Sequence, residues 1–342
     1  MVKIYLYRRL HFDQTQYPNP YIFNLEDTLS QHFNIVNKKD NKIGVLDVFR
    51  HFFKAKIFFF NWVEILPQVR FGKVQVVLFY IFLILAKGCK KKVVWTLHNK
   101  YTHAKGKSHW TDLMYSMLMK YADLVLTHAG SGANFVRAKY PDQIYKTKYI
   151  IHPVMDILPA VPGKEKKYDF LIWGGVHPYK GIIEFLKFVK SRSDKRPFKI
   201  LVVGKCFDES YKALIAEYLC EDIVYHDRFY SLEEISALAS ESRFILFTYK
   251  LTSILSSGSL MDSIRMRAVI IGPNDGAFKD LSGNNFIYTY NNFDEVFEIY
   301  QKHSADKRYN TPGLEQFCRD NTWKAFGGKL INELKTARVL AY

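Results

Sequence analysis

The chain has 342 residues, more than one hydrophobic core comfortably fills, so its length predicts two domains. An apolar fraction of 48% with 16% aromatic residues excludes a disordered chain, and 4 scattered cysteines exclude both a disulfide framework and a zinc ribbon, which predicts a reducing cytoplasm. A formal net charge of +16 calls for an anionic partner: a nucleotide-linked substrate, a nucleic acid or a membrane surface.

The opening MVKIYLYRRLHFD is charged too soon to predict a signal peptide, and Val2 to Tyr7 within it predicts a strand. Arg8 to Tyr21 follows as a loop. A loop after the first parallel strand lies over the carboxyl end of the sheet, where open α/β folds bind ligands. Arg9, Tyr17 and Asn19 are therefore candidates to hold a substrate, and Asp13 is a candidate base. Ile22 to His32 predicts a helix, Ile35 to Val36 a short strand, and Ile57 to Phe60 a strand that leads into Asn61, Trp62, Val63 and Glu64. Glu64 joins Asp13 as a candidate base or acceptor ligand. Val74 to Ala86 is nearly all apolar, but about thirteen residues fall short of the roughly twenty that a spanning helix needs. It predicts a helix buried between a sheet and its neighbour. The other reading is a helix dipping into one leaflet, with Lys87, Lys90, Lys91 and Lys92 behind it to meet anionic headgroups.

Val93 to Leu97 predicts the next strand and delivers His98 and Asn99 at its end, where a polar group faces an interdomain cleft. A lone histidine is more often a satisfied structural one. His103 and His109 follow in a loop, either contacting an acceptor or solvated, and the intervals among the three histidines match no standard metal site, so no metal is expected. Thr111 to Tyr121 predicts a helix, Leu124 to Thr127 a strand, and Tyr149 to His152 the close of the first half. Asp156 to Lys167, with two prolines, a glycine and a run of charge, reads as the linker.

The alternation then restarts. Asp169 to Trp173 predicts a strand, and Gly174, Gly175, His177, Lys180 and Gly181 lie in a turn before a helix from Ile182 to Lys190. Two glycines after a strand let a ligand approach the backbone, and a lysine near a helix start can pair with a diphosphate, although many tight turns look the same. Lys199 to Gly204 predicts a strand with Lys205 behind it, and Ile223 to Tyr225 another that leads into Arg228 and Phe229 before a helix from Leu232 to Ala239. Phe244 to Phe247 predicts a strand, and a polar loop follows it. Ser256, Ser257, Gly258 and Ser259 then precede a helical pattern, whose unpaired backbone N–H groups and dipole make a seat for phosphate. A serine-capped helix of no further consequence fits equally well. Asp262, one turn on, is placed to accept from ribose hydroxyls. Ala268 to Gly272 and Phe286 to Tyr290 predict the last strands, and Phe293 to His303 and Leu314 to Leu340 the last helices.

The segment from Tyr249 through Ser257, Gly258 and Leu260 to Val269 and Ile271 resembles the donor-site segment of the GT4-like glycosyltransferases of GT-B fold. Lys180 with Gly181, the string Thr96 to Asn99, and Ala122 with Asp123 fit the same resemblance. The chain departs from the pattern where Ile254 stands in place of the first of two glutamates, with Asp262 at the second, and where His177 is the only basic group early in the Lys180 loop. Asn61 and Val63 likewise replace a histidine and a proline.

The resemblance implies an α/β fold of two Rossmann-like domains with a cleft between them. Residues 1–155 would form the acceptor domain, 164–315 the donor domain, and 316–342 a helix crossing back to the first. It implies a nucleotide-sugar donor and no cofactor or metal. Gly174, Gly175, His177, Lys205, Arg228, Phe229, Tyr249, Ser256 to Ser259 and Asp262 would bind the donor. Lys180 and His98 would serve the reaction, with Asp13 as base in an inverting enzyme. Arg9, Tyr17, Asn19, Glu64, Asn99 and His103 would meet a glycan or lipid-linked acceptor, in the assembly of a bacterial surface polysaccharide at the inner membrane face. An epimerase acting on nucleotide sugars would share this fold. A nicotinamide dehydrogenase is disfavoured, since no G-x-G-x-x-G follows the first strand, and no nucleic-acid-binding module or basic helix is present.

Overall fold

The computed structural model describes residues 1–7, 20–38, 44–101, 109–159, 165–192, 197–250, 255–304 and 311–340. The chain divides into one unit formed by Met1–His152 together with Trp323–Tyr342, and another formed by Pro153–Thr322.

The first unit carries six strands: β1 (Lys3–Tyr7), β2 (Asn34–Ile35), β3 (Ile57–Asn61), β4 (Lys92–Leu97), β5 (Leu124–Thr127) and β6 (Thr147–Tyr149). They form one parallel sheet in the order β2-β1-β3-β4-β5-β6. Parallel strands are joined by helices that cover both faces, so their side chains are buried on both sides. Ile57 to Phe60 accordingly show at most 1% exposure, which is why these strands stand out in the sequence as unbroken apolar runs. The order reverses between β1 and β3, the point at which open α/β sheets bind ligands beyond the strands' carboxyl ends.

The second unit repeats the plan with β7 (Tyr168–Trp173), β8 (Ile200–Val203), β9 (Ile223–His226), β10 (Ser242–Leu246), β11 (Ile270–Pro273) and β12 (Ile287–Tyr290). Their order is β12-β11-β10-β7-β8-β9, again all parallel, with the reversal between β7 and β10.

The tail differs from the single helix expected over 314–340. It forms two helices, Thr311–Asp320 and Trp323–Thr336, broken at Asn321 and Thr322. Buried Asn321 donates from its side chain to the Phe317 carbonyl at 2.9 Å, and its own carbonyl accepts from the Val154 N–H at 2.8 Å. A carbonyl given to another segment cannot continue the helix ladder. Beyond the break, Phe326, Leu330 and Leu334 join the first unit's core with Ile22, Leu25 and Leu29 of the helix Pro20–Ser30. Gly327 allows that contact: a Cβ there would lie 2.7 Å from Thr28 Cγ2.

The apolar run at 74–86 lies in a helix Gly72–Gly88 that is buried on one face only. Val76, Phe79, Phe82, Leu83 and Ala86 face the core, while Val77, Ile81, Ile84 and Leu85 are exposed.

Candidate functional site

In the second unit the loops after β7 and β10 meet at the reversal of strand order. The β7 strand ends at Trp173, and Gly174 follows at φ +99, a region that L side chains rarely adopt. The turn runs through Pro178–Lys180 and closes at Gly181, whose φ of +67 opens the helix Ile182–Ser191. A Cβ on Gly181 would lie 2.3 Å from the Thr248 carbonyl oxygen, so the turn abuts the backbone just beyond β10. The Thr248 hydroxyl donates to the Lys180 carbonyl at 2.6 Å, and the Lys250 N–H donates to the Tyr179 carbonyl at 3.2 Å. Gly204, after β8, closes the other flank, where a Cβ would meet the Gly174 carbonyl at 2.1 Å.

These contacts aim the Lys180 side chain at Gly174 and at the start of the helix Gly258–Arg265. A Cβ built on Gly174 would stand 2.9 Å from Lys180 Nζ and 3.3 Å from Ser259 Oγ. Lys180 is 5% exposed, and among the described residues its ammonium has no hydrogen-bond or ion-pair partner. Burial alone pushes its pKa down to about 8. The ring centre of Tyr249 lies 5.6 Å from Nζ, and the Tyr249 hydroxyl shares a 3.2 Å hydrogen bond with Ser257. Ser257 caps the helix in an extended conformation without using its side chain, and the Ser256 Oγ is buried with no partner among the described residues. A buried cation, an uncapped helix start and a backbone stripped of Cβ thus converge on one spot. Such a spot attracts an anion with several oxygens.

The remaining donor candidates are placed differently. His177 stacks on Tyr179 at 5.6 Å, with its Nε2 3.2 Å from where a Gly175 Cβ would be. Lys205 pairs with Asp227 at 3.1 Å, and Lys212 joins at 2.7 Å. Burial raises the Asp227 pKa, but its hydrogen bonds from Lys212, the Cys206 N–H and Lys205 outweigh that and hold it well below the carboxylate range. Arg228 pairs with Glu234 at 2.9 Å and lies 3.6 Å over Tyr230. Asp262 pairs with Arg265 at 2.8 Å; burial raises its pKa and the guanidinium offsets part of that. Phe229 is 41% exposed beside Phe207 at 6.0 Å, outside the core. Thr248, Tyr179 and Gly204 are site-building residues that the sequence reading passed over; the Gly that follows both β7 and β8 is the signal for the last.

In the first unit His98 follows β4 at the sheet's carboxyl end. It stacks on Trp62 at 4.0 Å and 13°, and its Nε2 lies 3.1 Å from the Asn61 Oδ1 at the end of β3. Burial, with His128 and His152 nearby, lowers its pKa well below the ordinary histidine value. His128 is fixed as the neutral form that carries its proton on Nδ1. That atom donates to the Ile150 carbonyl at 2.8 Å, and its Nε2 accepts from the Tyr21 hydroxyl at 2.8 Å. Tyr21 and Trp323 complete this aromatic cluster, with ring centres 5.3 Å apart. Glu64 lies inside the unit at 1% exposure, accepting from the Trp95 indole at 3.1 Å. The Asn99 carbonyl accepts from Tyr115 at 2.9 Å, and His109 opens the helix His109–Tyr121 on the surface. Arg9, Asp13, Tyr17, Asn19 and His103 lie outside the described residues. Among the described residues no group of three or more His, Cys, Asp or Glu side chains is arranged to hold a metal ion.

No protein-family model matches the sequence, and no curated protein sequence matches it. Solved structures do match. HepE of Anabaena, in complex with UDP and glucose, is 13% identical at a TM-score of 0.68, covering 98% of this chain and 100% of that one. The lipopolysaccharide outer core galactosyltransferase WaaB, in its apo form, is 13% identical at 0.64, covering 98% and 99%. A glycosyltransferase from Rickettsia africae is 14% identical at 0.62, covering 98% of each chain. With two Rossmann-like six-stranded parallel sheets, the chain has the GT-B fold of these glycosyltransferases.

Proposed function

We propose that the chain is a glycosyltransferase that moves a sugar from a nucleotide-sugar donor to a hydroxyl of a glycan or lipid-linked acceptor, in the assembly of a bacterial surface polysaccharide. One observation carries this reading: the buried Lys180 ammonium, with no anionic partner among the described residues, beside Gly174 and Ser259 at the start of the helix Gly258–Arg265. The fold shared with HepE, solved with UDP-glucose, and with the galactosyltransferase WaaB supports it.

In this reading the donor's diphosphate sits against the N–H groups around Gly258 and the Ser259 hydroxyl, with Lys180 Nζ on one of its oxygens. As the sugar–oxygen bond breaks, negative charge grows on the diphosphate. Fixed dipoles and a cation in a dry site then stabilise the transition state more than the ground state. That work needs no metal, and the reaction proceeds with retention, the acceptor hydroxyl attacking from the leaving-group face. The exposed ring of Phe229 lies against the base. His98, neutral through burial, is available to accept or orient a hydroxyl proton.

The test is thermal stabilisation by a panel of UDP-, GDP-, ADP- and dTDP-sugars, UDP-sugars first. One member at one hundred times its Kd is expected to stabilise the protein by about 2.7 kcal/mol, and Lys180→Met is expected to remove that response. A panel without effect, or a response unchanged in the variant, would refute the donor site. Product formation from the donor alone, with no acceptor, would instead mark an epimerase.

A further inference from the structure

We propose that the outward face of the helix Gly72–Gly88 is a docking surface for an anionic lipid bilayer, on which the chain lies without spanning it. The helix has 17 residues, about 25 Å of length. Its inward residues satisfy the core: Val76, Phe79, Phe82, Leu83 and Ala86 are at most 1% exposed. The opposite face carries Val74, Val77, Ile81, Ile84 and Leu85 at 43–58% exposure. At 3.6 residues per turn those five positions fall within a stripe about 100° wide. An exposed helix face in water is ordinarily polar, so this helix is apolar all round although only half of it is inside.

The stripe does not end with the helix. Phe71, at its start, is 68% exposed. Phe53, beside Phe52, is another exposed ring of the same segment, at 89%. An exposed apolar stripe of this kind marks an interaction site.

Charge selects the partner. Residues 44–92 hold nine lysines and arginines against two acids, Asp47 and Glu64, and both acids are buried, at 3% and 1%. No surface carboxylate within the segment balances the lysines that border the apolar face. Lys73, Tyr80 and Lys87 recur every seventh residue along one border, and Lys90 stands exposed just past the end. Apolar side chains at acyl depth beneath a collar of lysines at headgroup depth is the pattern of an in-plane amphipathic helix. A second copy of this chain would bring the same lysines against one another, which disfavours self-association. None of the described helices is long and apolar enough to cross a membrane.

The experiment is flotation of the full chain with vesicles of phosphatidylcholine alone and of phosphatidylcholine mixed with phosphatidylglycerol, without sugar nucleotide, so the result is independent of the donor-site reading. The wild type is expected on the mixed vesicles and much less on the neutral ones. Val77→Asp with Ile81→Asp is expected to abolish binding to both. Lys73→Gln, Lys87→Gln and Lys90→Gln together are expected to weaken binding to the mixed vesicles by on the order of 100-fold, about fivefold per lysine. All substituted positions are exposed, and unchanged melting of the variants confirms that they fold. Wild-type binding indifferent to lipid charge, or undiminished in the aspartate variant, overturns the proposal. So does a concentration-dependent dimer that the aspartates dissolve, which would assign the face to a second copy.

Discussion

A lysine buried without an anion costs the fold something that its ligand restores. Lys180 titrates near 8 in the folded chain against 10.5 ordinarily, because burial penalises the ammonium. Between those values the unfolded chain holds a proton that the folded one has shed, so stability rises with pH across that window, and the full penalty applies below it. Lys180→Met keeps the length of the side chain and removes the charge. It is expected to stabilise the free protein at pH 7 by up to roughly 3 kcal/mol, while weakening sugar-nucleotide binding on the order of 100-fold. Urea melts at pH 7 and 10.5 check the first expectation, since the gain should vanish at the higher pH; a variant less stable at pH 7 would mean that the ammonium is already paired. His128 acts in the same sense at lower pH. Burial and His152 push it down to about 3 from 6.5, so its contribution is whole above 6.5 and is lost as the pH falls towards 3. His128→Gln should flatten the pH dependence of stability in that interval, read from unfolding at several pH values. At this scale the sequence offered Lys180, Gly174 and Ser259 as candidates, though a tight turn or a capped helix uses the same residue types, and the structure draws the three together. What the sequence did not show is that Lys205, Arg228 and Asp262 are ion-paired within the chain, to Asp227, Glu234 and Arg265. The Asp262 pair, three residues apart on a helix, was open to inference from spacing.

At the scale of elements, the strands were legible because a parallel strand covered on both faces must be continuously apolar. Three short helices were not: Leu46–Arg50, Glu209–Ala216 and Gly276–Leu281. Each is too brief for the helical period to show against the background of an apolar chain. The turn between β7 and its helix depends on backbone that only glycine supplies, and Gly174 separates shape from charge as causes of binding. Gly174→Ala would put a methyl 2.9 Å from Lys180 Nζ and 3.3 Å from Ser259 Oγ, at a φ of +99. The expected result is a stability loss of about 1–3 kcal/mol from the strained backbone, and donor binding weakened by at least ~10-fold because the methyl occupies the anion's place. Calorimetric titration with the sugar nucleotide that gives the largest thermal shift checks this. Binding retained at wild-type strength would place the anion elsewhere.

For the whole molecule, the decisive feature is that the first unit is discontinuous in sequence. Met1–His152 is completed by Trp323–Tyr342, so the chain must finish the second unit before the first can close. The apolar positions of the last helix announced that it packs somewhere, but no local pattern marks the break at Asn321, where a carbonyl leaves the helix for the Val154 N–H. The returning helix buries Phe326, Leu330 and Leu334 to at most 2% exposure against Ile22, Leu25 and Leu29. Each such side chain contributes about 1.5–3 kcal/mol, so their joint loss rivals the whole stability of a typical domain. Ending the chain after Thr322 is therefore expected to unfold the first unit, with hydrophobic-dye binding and loss of its melting transition. The second unit, whose Lys180, Gly174, Ser259 and Tyr249 all lie inside Pro153–Thr322, should melt as before and still respond to the sugar nucleotide. Calorimetry of the truncated chain with and without that ligand distinguishes the outcomes: a surviving first transition would mean that the helix is dispensable to the first core, and a lost ligand response would mean that the anion seat depends on residues outside the second unit.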